Sequence, residues 1–271
     1  MNKIEVKVLD SHNDPGGMMM FLAKLTQRGH NINSMADLEK LMESSRSPKA
    51  STVESVAALP HGTIKRFCPI TVAIVGASRR FLAQARTHQV GFNYVSASLQ
   101  YSNYSDKGQF VVPYALMKAD HDFKMDASGG SFIYDLIEGP YTEKYLEACN
   151  DAMETYKDLA KVTDNDTAGY AAPQGLRNIL IIQANHEAWM NFIRLRSCNR
   201  NTNETQYVTL RIWEELLKTP GGKEMFKMAG PDCMWGACRE GKMCCGKPLR
   251  QYRRDHGKLI KEGWPLLCKE K

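Results

Sequence analysis

PHGTIKRFCPITVAIVGASRR, residues 60–80, passes from a polar turn into an apolar, β-branched stretch and out again into paired arginines. Ile70 to Ile74 predicts a strand, because β-branched side chains suit a pleated, half-buried surface. Gly76 and Ser78 then lead into SRRFLAQARTHQ, residues 78–89, which has the propensity of a helix with a basic face. Towards the N-terminus, KIEVKVL at 3–9 alternates as a strand and Asp10 to Gly17 is turn chemistry. MMMFLAKL and ADLEKLMES are patterned as helices, the second with Asn33 or Ser34 as its cap, and SRSPKAS at 45–51 reads as a polar linker.

Towards the C-terminus, Gly91 to Tyr101 mixes aromatics with serines irregularly, which suggests a loop or strand at a site. Residues 105–130 are polar and Gly-rich, a surface insertion within a domain spanning 1–246. Tyr145, Cys149, Ala152, Tyr156 and Leu159 repeat at steps of three and four and predict a helix from Tyr141 to Lys161. Pro173 is expected to start a long central helix reaching Arg196. On it Asn185, Trp189, Phe192 and Arg196 share one stripe, with Glu187, Asn191 and Arg194 nearly opposite. At 1.5 Å per residue, Asn185 and Arg196 lie about 16 Å apart. Polar groups on two faces of an apolar body predict a helix buried between layers or subunits. A last helix spans Gln206 to Leu217 and ends at Pro220-Gly221-Gly222.

The chain of 271 residues has 43% hydrophobic and 24% charged residues, ordinary globular values that exclude a disordered tail protein. Its apolar runs, VAIVG and ILII, are far shorter than the ~20 residues of a membrane span. Charges in MNKIEVKVLDSHND stand where a secretory signal needs apolar residues, so a soluble, cytoplasmic protein is expected. Of the net charge of +6, residues 247–271 hold +5, a basic C-terminal tail read as solvated in preference to a nucleic-acid arm. Four of the eight cysteines fall in C-x4-C-x5-C-C at Cys233, Cys238, Cys244 and Cys245. Zinc pairs favour two-residue gaps, so buried or free thiols are expected and no metal is assigned.

No Gly-rich phosphate loop, serine elbow, His-Glu-x-x-His or paired-carboxylate pattern is present, which leaves hydrolase chemistry without support. Between His61 and Tyr104 stand His61, Thr63, Ser78, Arg79, Gln84, Arg86, His88, Gln89, Asn93, Ser96, Ser98, Gln100, Tyr101 and Ser102. So many donors among aromatics suggest a pocket for a flat, phosphate-bearing ligand, since arginine and hydroxyl groups satisfy phosphate oxygens and aromatic faces take a ring. The alternative is a polar surface hairpin.

These residues stand in an order that resembles the flavin-dependent thymidylate synthases. The family's Gly-His-x-Ser/Thr and Ile-x-Gly-x-Ser-Arg motif is similar to residues 60–80, keeping His61, Thr63, Thr71, Ile74, Gly76, Ser78 and Arg79. Its Arg-His-Arg and Ser-x-Arg-Tyr-Ser signature resembles Thr87-His88-Gln89 followed by Ser98, Gln100, Tyr101 and Ser102. Its later block resembles Pro173, Asn185 to Glu187, Asn191 and Leu195-Arg196, and some members carry a similar cysteine-bearing C-terminus. Family arginines are replaced at Thr87, Gln89, Gln100, Gly169 and Glu187, and a family glutamate at Ser96.

The resemblance implies an α+β fold with a mixed or antiparallel sheet and long central helices, assembled as a homotetramer. It implies FAD-dependent transfer of a one-carbon unit from methylenetetrahydrofolate to C5 of deoxyuridylate, with NADPH as reductant and no enzyme nucleophile on the pyrimidine. Carried over by position, Arg196 is the catalytic arginine that stabilises the ionised pyrimidine. Gln84, Arg86, Ser96, Ser98 and Gln100 join it around the nucleotide. His61, Thr63, Arg79, Thr87, His88, Gln89, Asn185, Glu187 and Asn191 take the flavin, whose ring is expected against the 174–196 segment. Arg86, one residue ahead of the motif, is a candidate to replace a lost arginine. Two alternatives stand beside this reading. One is the same family acting on a cytidine nucleotide by methylation or hydroxymethylation, and the other is a non-catalytic flavin- or nucleotide-binding paralogue.

Overall fold

The computed structural model describes residues 4–106, 108–113, 115, 116, 120 and 139–246. Four antiparallel strands form one sheet in the order β1-β2-β4-β3, with β1 Glu5–Asp10, β2 Ile70–Ser78, β3 Phe92–Ser96 and β4 Arg177–Ala184. The register sets Val6 beside Ile74, Ile74 beside Leu180 and Leu180 beside Ser96. One face of the sheet carries Val72, Ile74, Leu180, Ile182 and Ala184, all buried. The other leaves Val75, Ile179 and Val95 exposed. Gly76 sits at a bulge with φ +89°, and a Cβ there would meet the Arg177 guanidinium at 1.9 Å. The motif needs glycine at that point for both reasons.

Ten helices accompany the sheet among the described residues, and those that carry the main core cover its buried face. The first eight are α1 Pro15–Arg28, α2 Met35–Glu43, α3 Ala50–Ala58, α4 Arg79–Ala85, α5 Pro140–Val162, α6 Asn165–Gly169, α7 His186–Arg196 and α8 Asn203–Leu217. Two short turns of helix follow, α9 Gly222–Met225 and α10 Asp232–Trp235. Ser34 caps α2 as expected, its Oγ accepting from the Asp37 amide at 3.2 Å. The main core joins the sheet to Phe81, Trp189, Phe192, Trp213 and Phe226. A smaller one gathers Leu99, Met153, Tyr156, Ala168 and Leu176 under α5.

The structure corrects the expectation of one helix from Pro173 to Arg196. Arg177–Ala184 is strand β4, and only His186–Arg196 is helical. Asn178, Leu180, Ile182 and Ala184 are buried in strict alternation, and the Ile-rich run gains more from the centre of a sheet than from a helix. Asn185 breaks the two apart by capping α7, its Oδ1 accepting from the Ala188 amide at 3.0 Å.

Other boundaries also move: β2 runs on to Ser78, and α8 starts at Asn203. The turn at 10–17 gives way to α1 at Pro15, where Asp14 caps the Gly17 amide. The linker at 45–51 runs into helix α3, and the helix expected over 78–89 stops at Ala85. Within 105–130, Phe110 bridges to Leu176, and Val111 and Val112 are buried; most of the rest of that insertion and all of the 247–271 tail lie outside the described residues. No helix among the described residues is long and apolar enough to cross a membrane.

Candidate active site around Arg196

Arg196 ends α7, and its half-buried guanidinium is completely engaged. Nε donates to His88 Nε2 at 2.8 Å, and Nη1 to Asn201 Oδ1 at 3.1 Å and Gln84 Oε1 at 3.4 Å. Nη2 donates to Thr87 Oγ1 at 2.7 Å and to the Gln84 carbonyl at 3.4 Å. These contacts match the five N–H donors of a guanidinium one for one. For Nε2 to accept, His88 must be neutral, and its environment enforces this: burial, then the Arg196 charge, pulls its pKa down to about 4. The ring is wedged against Phe192 at 4.9 Å and Phe92 at 5.8 Å between centroids. Thr87, read as the loss of an arginine, is an acceptor here.

A second cluster adjoins the first. Arg86 Nη2 donates to Ser96 Oγ at 2.8 Å. Half-burial pulls the Arg79 pKa down; the Tyr104 phenol opposes this, and the Arg86 charge adds to it. Two guanidinium groups within electrostatic reach repel each other, and an anion between them relieves that repulsion. Tyr94 lies between the clusters, within electrostatic reach of both Arg196 and Arg86. Its hydroxyl is within hydrogen-bond reach of the His88 and Ala85 carbonyls, at 2.6 and 2.8 Å. Ser98 and Gln100 lie just beyond β3, where Ser98 Oγ accepts from the Gln100 amide at 3.1 Å.

The third group surrounds the start of α7. The loop carrying His61 and Thr63 packs on Glu187, so closely that a Cβ on Gly62 would meet its carboxylate at 2.2 Å. Glu187 pairs with Arg66 at 2.5 Å, both partly exposed. Asn185 Nδ2 faces the Gly91 turn that follows exposed Gln89. Asn191 stands apart, accepting from Arg194 Nη2 at 3.0 Å. Trp189 and Phe192 are fully buried against the sheet of the same chain, so that stripe of α7 is core and offers no face to a ring.

Sequence reading missed Asn201, Tyr94, Tyr104 and Glu204. Glu204 on α8 accepts from the Ser78 amide at 2.7 Å and the Ser78 hydroxyl at 2.6 Å, fixing the start of α4. Burial pushes its pKa up, and the Ser78 bonds oppose that. The polar run CNRNTNE carried no spacing to single out Asn201, and Glu204 is brought to Ser78 only by the packing of α8.

His186 opens α7 and is 1% exposed. Its Nε2 lies 2.7 Å from the Met225 carbonyl and donates to it, while buried Nδ1 has no partner, so the ring is neutral. Burial, which outweighs the Met225 bond, pulls its pKa to about 4; Lys65 adds to this and Glu187 opposes it. The unfolded chain, near pH 6.5, therefore binds the proton first. Stability is fully present above pH 6.5 and is lost as pH falls towards 4, by about 3 kcal/mol. Urea midpoints measured from pH 7.5 to 4.5 are expected to fall less steeply in His186→Gln than in the natural chain. Equal slopes overturn the assignment.

Solved proteins share this fold. The structure is similar in fold to a UMP/dUMP methylase, PolB from Streptomyces cacaoi bound with 5-Br dUMP. The TM-score is 0.61 at 16% identity, covering 84% of this chain and 97% of that one. It also resembles thymidylate synthase X (ThyX) from Helicobacter pylori with FAD and dUMP, TM-score 0.54 at 18% identity, covering 82% and 97%. The sequence profile of the thymidylate synthase complementing protein family matches residues 7–219, and the chain belongs to that family. The flavin-dependent thymidylate synthase of Clostridium tetani is 26% identical over 247 residues, 90% of this chain and 94% of that protein. That of Geobacter sulfurreducens is 24% identical over 253 residues, 92% and 97%. The expected fold is α+β with a mixed or antiparallel sheet; an α+β fold is observed, and its sheet is antiparallel.

Proposed function

We propose that the protein transfers a one-carbon unit from methylenetetrahydrofolate to C5 of deoxyuridylate, using FAD and NADPH. The observation that carries this reading is the Arg196 cluster: a half-buried guanidinium oriented from four sides beside a neutral histidine. Bound flavin supplies the redox and one-carbon carrier chemistry. The chain's own task is positioning and electrostatics. The two contacts to Gln84, each 3.4 Å, are the longest that Arg196 makes and are the ones a nucleotide carbonyl can displace at least cost. His88, Thr87 and Asn201 keep the guanidinium aimed while that exchange occurs. A fixed positive charge then favours the ionised pyrimidine, which makes C5 nucleophilic without an enzyme nucleophile.

The fit to a phosphate-bearing ligand rests on Arg79 and Arg86. Arg86 reaches Ser96, where the family pattern has a carboxylate, so a cation stands in place of an anion there and suits the nucleotide phosphate. Residues proposed to hold FAD are His61, Thr63, Thr87, His88, Gln89, Asn185, Glu187 and Asn191, with Arg79 towards its phosphates. Ser98 and Gln100 are assigned to the nucleotide. Assembly as a homotetramer is supported by the apolar stripe of Val75, Ile179 and Val95 left exposed on the sheet.

A second reading changes the acceptor to another pyrimidine nucleotide. It is favoured by Gln89, Gln100 and Glu187, which replace three family arginines. Charge-assisted hydrogen bonds contribute about 1.5 kcal/mol or more each, so three fewer weaken a phosphate ligand by roughly 1000-fold unless Arg79 and Arg86 compensate.

The test is incubation of the purified, FAD-supplemented protein with methylenetetrahydrofolate, NADPH and a panel of dUMP, UMP, dCMP and CMP labelled with tritium at C5. Tritium release and a methylated product from dUMP are expected. Release from a cytidine nucleotide alone selects the second reading. A protein that takes up no flavin and releases no label from any of them overturns both.

A further inference from the structure

The cysteine pattern at 233–245 takes no part in the site just described, yet the fold gathers it. The chain from Cys233 to Gly246 folds back over the turn that follows Arg196. Asn199 Nδ2 donates to Cys245 Sγ at 3.8 Å, and Arg200 Nε donates to the Met243 carbonyl. Cys198 lies within electrostatic reach of both Cys233 and Cys245. Among the described residues no three His, Cys, Asp or Glu side chains are arranged to hold a metal ion. Cys238 and Cys244 instead lie within interaction range of each other, one half-buried and one exposed. Between them the backbone reverses through a single 3-10 turn, Gly241–Met243. Gly241 has φ +53°, and the Met243 and Cys244 amides close on the Glu240 and Gly241 carbonyls at 2.8 and 3.1 Å. A Cβ on Gly236, Gly241 or Gly246 would meet nothing within 4 Å, so the loop is thin and reachable from solvent.

We propose that Cys238 and Cys244 are a redox-active dithiol that closes to a disulfide within this loop by exchange with a low-molecular-weight disulfide. Cys244 is the attacking sulfur. The Gly246 amide, the Cys238 thiol and the Arg200 charge hold its pKa below the usual thiol value. The Cys238 thiol is raised instead: the Glu240 amide favours its thiolate, but desolvation, the Cys244 thiol and nearby thiolates outweigh that. The Cys244 thiolate attacks one sulfur of the oxidant, forms a mixed disulfide and expels the first thiolate. Cys238 gives up its proton, attacks the Cys244 sulfur and expels the second. Two cysteine thiols are oxidised by two electrons, and one small disulfide is reduced to two thiols that carry away the two protons. Thiols brought within range of each other by a tight turn need less backbone movement to bond than thiols held apart. The closed loop would brace Asn199 and Arg200, two residues before the Asn201 that accepts from Arg196.

The test needs no catalytic turnover, so its failure leaves the proposed function untouched. Full-length protein is treated with oxidised glutathione, alkylated, digested with trypsin and mapped by mass spectrometry. The expected result is two fewer alkylatable thiols. The tryptic peptide ending at Arg239 should be joined to the one beginning at Met243, through Cys238 and Cys244 on fragmentation. Cys245→Ser should leave this link intact, and Cys238→Ser should accumulate glutathione on Cys244. Buried Cys68 and Cys149 serve as unreactive references. A link through Cys233 or Cys245, unchanged thiol counts, or zinc retained in native mass spectrometry that protects the thiols would each overturn the proposal.

Discussion

Arg196→Ala is expected to lower turnover of the preferred nucleotide by at least 100-fold with flavin uptake unchanged. Removing one preorganised donor at a site of developing charge commonly costs 100- to 1000-fold, and this substitution removes the whole charged fork. It also leaves His88 Nε2, Thr87 Oγ1 and Asn201 Oδ1 without their donor. Part of any loss could then come from a relaxed loop, so Arg196→Lys is the informative companion. Lysine restores a positive charge but offers a point donor in place of a planar fork, and cannot reach His88, Thr87 and Asn201 in one geometry. Lysine is expected to recover the melting temperature more than the rate. Tritium release from C5 under saturating nucleotide is the readout, with flavin absorbance as the control. Turnover within threefold of the natural chain in Arg196→Ala would remove the guanidinium from the chemistry.

His88→Gln tests the support separately and should act more mildly. Glutamine keeps an acceptor for Arg196 but gives up the ring contacts to Phe92 and Phe192. The neutral state of His88 also sets a pH expectation. Protonation as pH falls towards 4 turns an acceptor for Arg196 into a like charge, so activity should decline on the acid side. That decline should be flatter in His88→Gln.

Local chemistry made much of this legible, and long-range contact hid the rest. The α5 helix follows its apolar steps almost to the residue, and Ser34 caps α2, because both signals act within a turn of the chain. The β4 strand was hidden because Leu176, Ile179, Leu180, Ala184 and Ala188 also fit helical spacing, and periodicity alone does not separate a short buried strand from a helix. Asn185 ahead of His186-Glu187 was the overlooked sign, since a capping residue with an acid in the first turn marks a start. Helix α3 has only Val53 buried and no side-chain cap, so it left little trace.

At the site, Gln84, Thr87, His88 and Arg196 were all named in advance, but as holders of ligands. Their bonds to one another span about a hundred residues of chain and arise only when the end of α4 and the turn after it meet the end of α7. Substitutions read purely as losses, Thr87 above all, gain a partner once that packing exists.

The largest structural effect is expected from Trp189→Ala, about 3–5 kcal/mol of lost stability. Trp189 is 0% exposed and ties α7 to the sheet in two ways. Its Nε1 donates to the Ile70 carbonyl at 3.2 Å, at the first residue of β2. Its ring meets Phe92 edge-on at 5.5 Å and Phe192 at 5.9 Å, the same two rings that hold His88. Alanine opens a cavity between sheet and helix and orphans a buried carbonyl, and close-packed interiors relax only partly around such a void. Trp189→Phe keeps most of the volume and loses the donor, so about 1–2 kcal/mol is expected. Urea unfolding at neutral pH measures both. Because Phe92 and Phe192 lean on the missing ring, the alanine variant should also bind nucleotide more weakly than the phenylalanine variant at a temperature where both are folded. A loss below 1 kcal/mol in Trp189→Ala, or equal nucleotide affinity in the two variants, would show that the aromatic packing does not hold His88 and Arg196 in place.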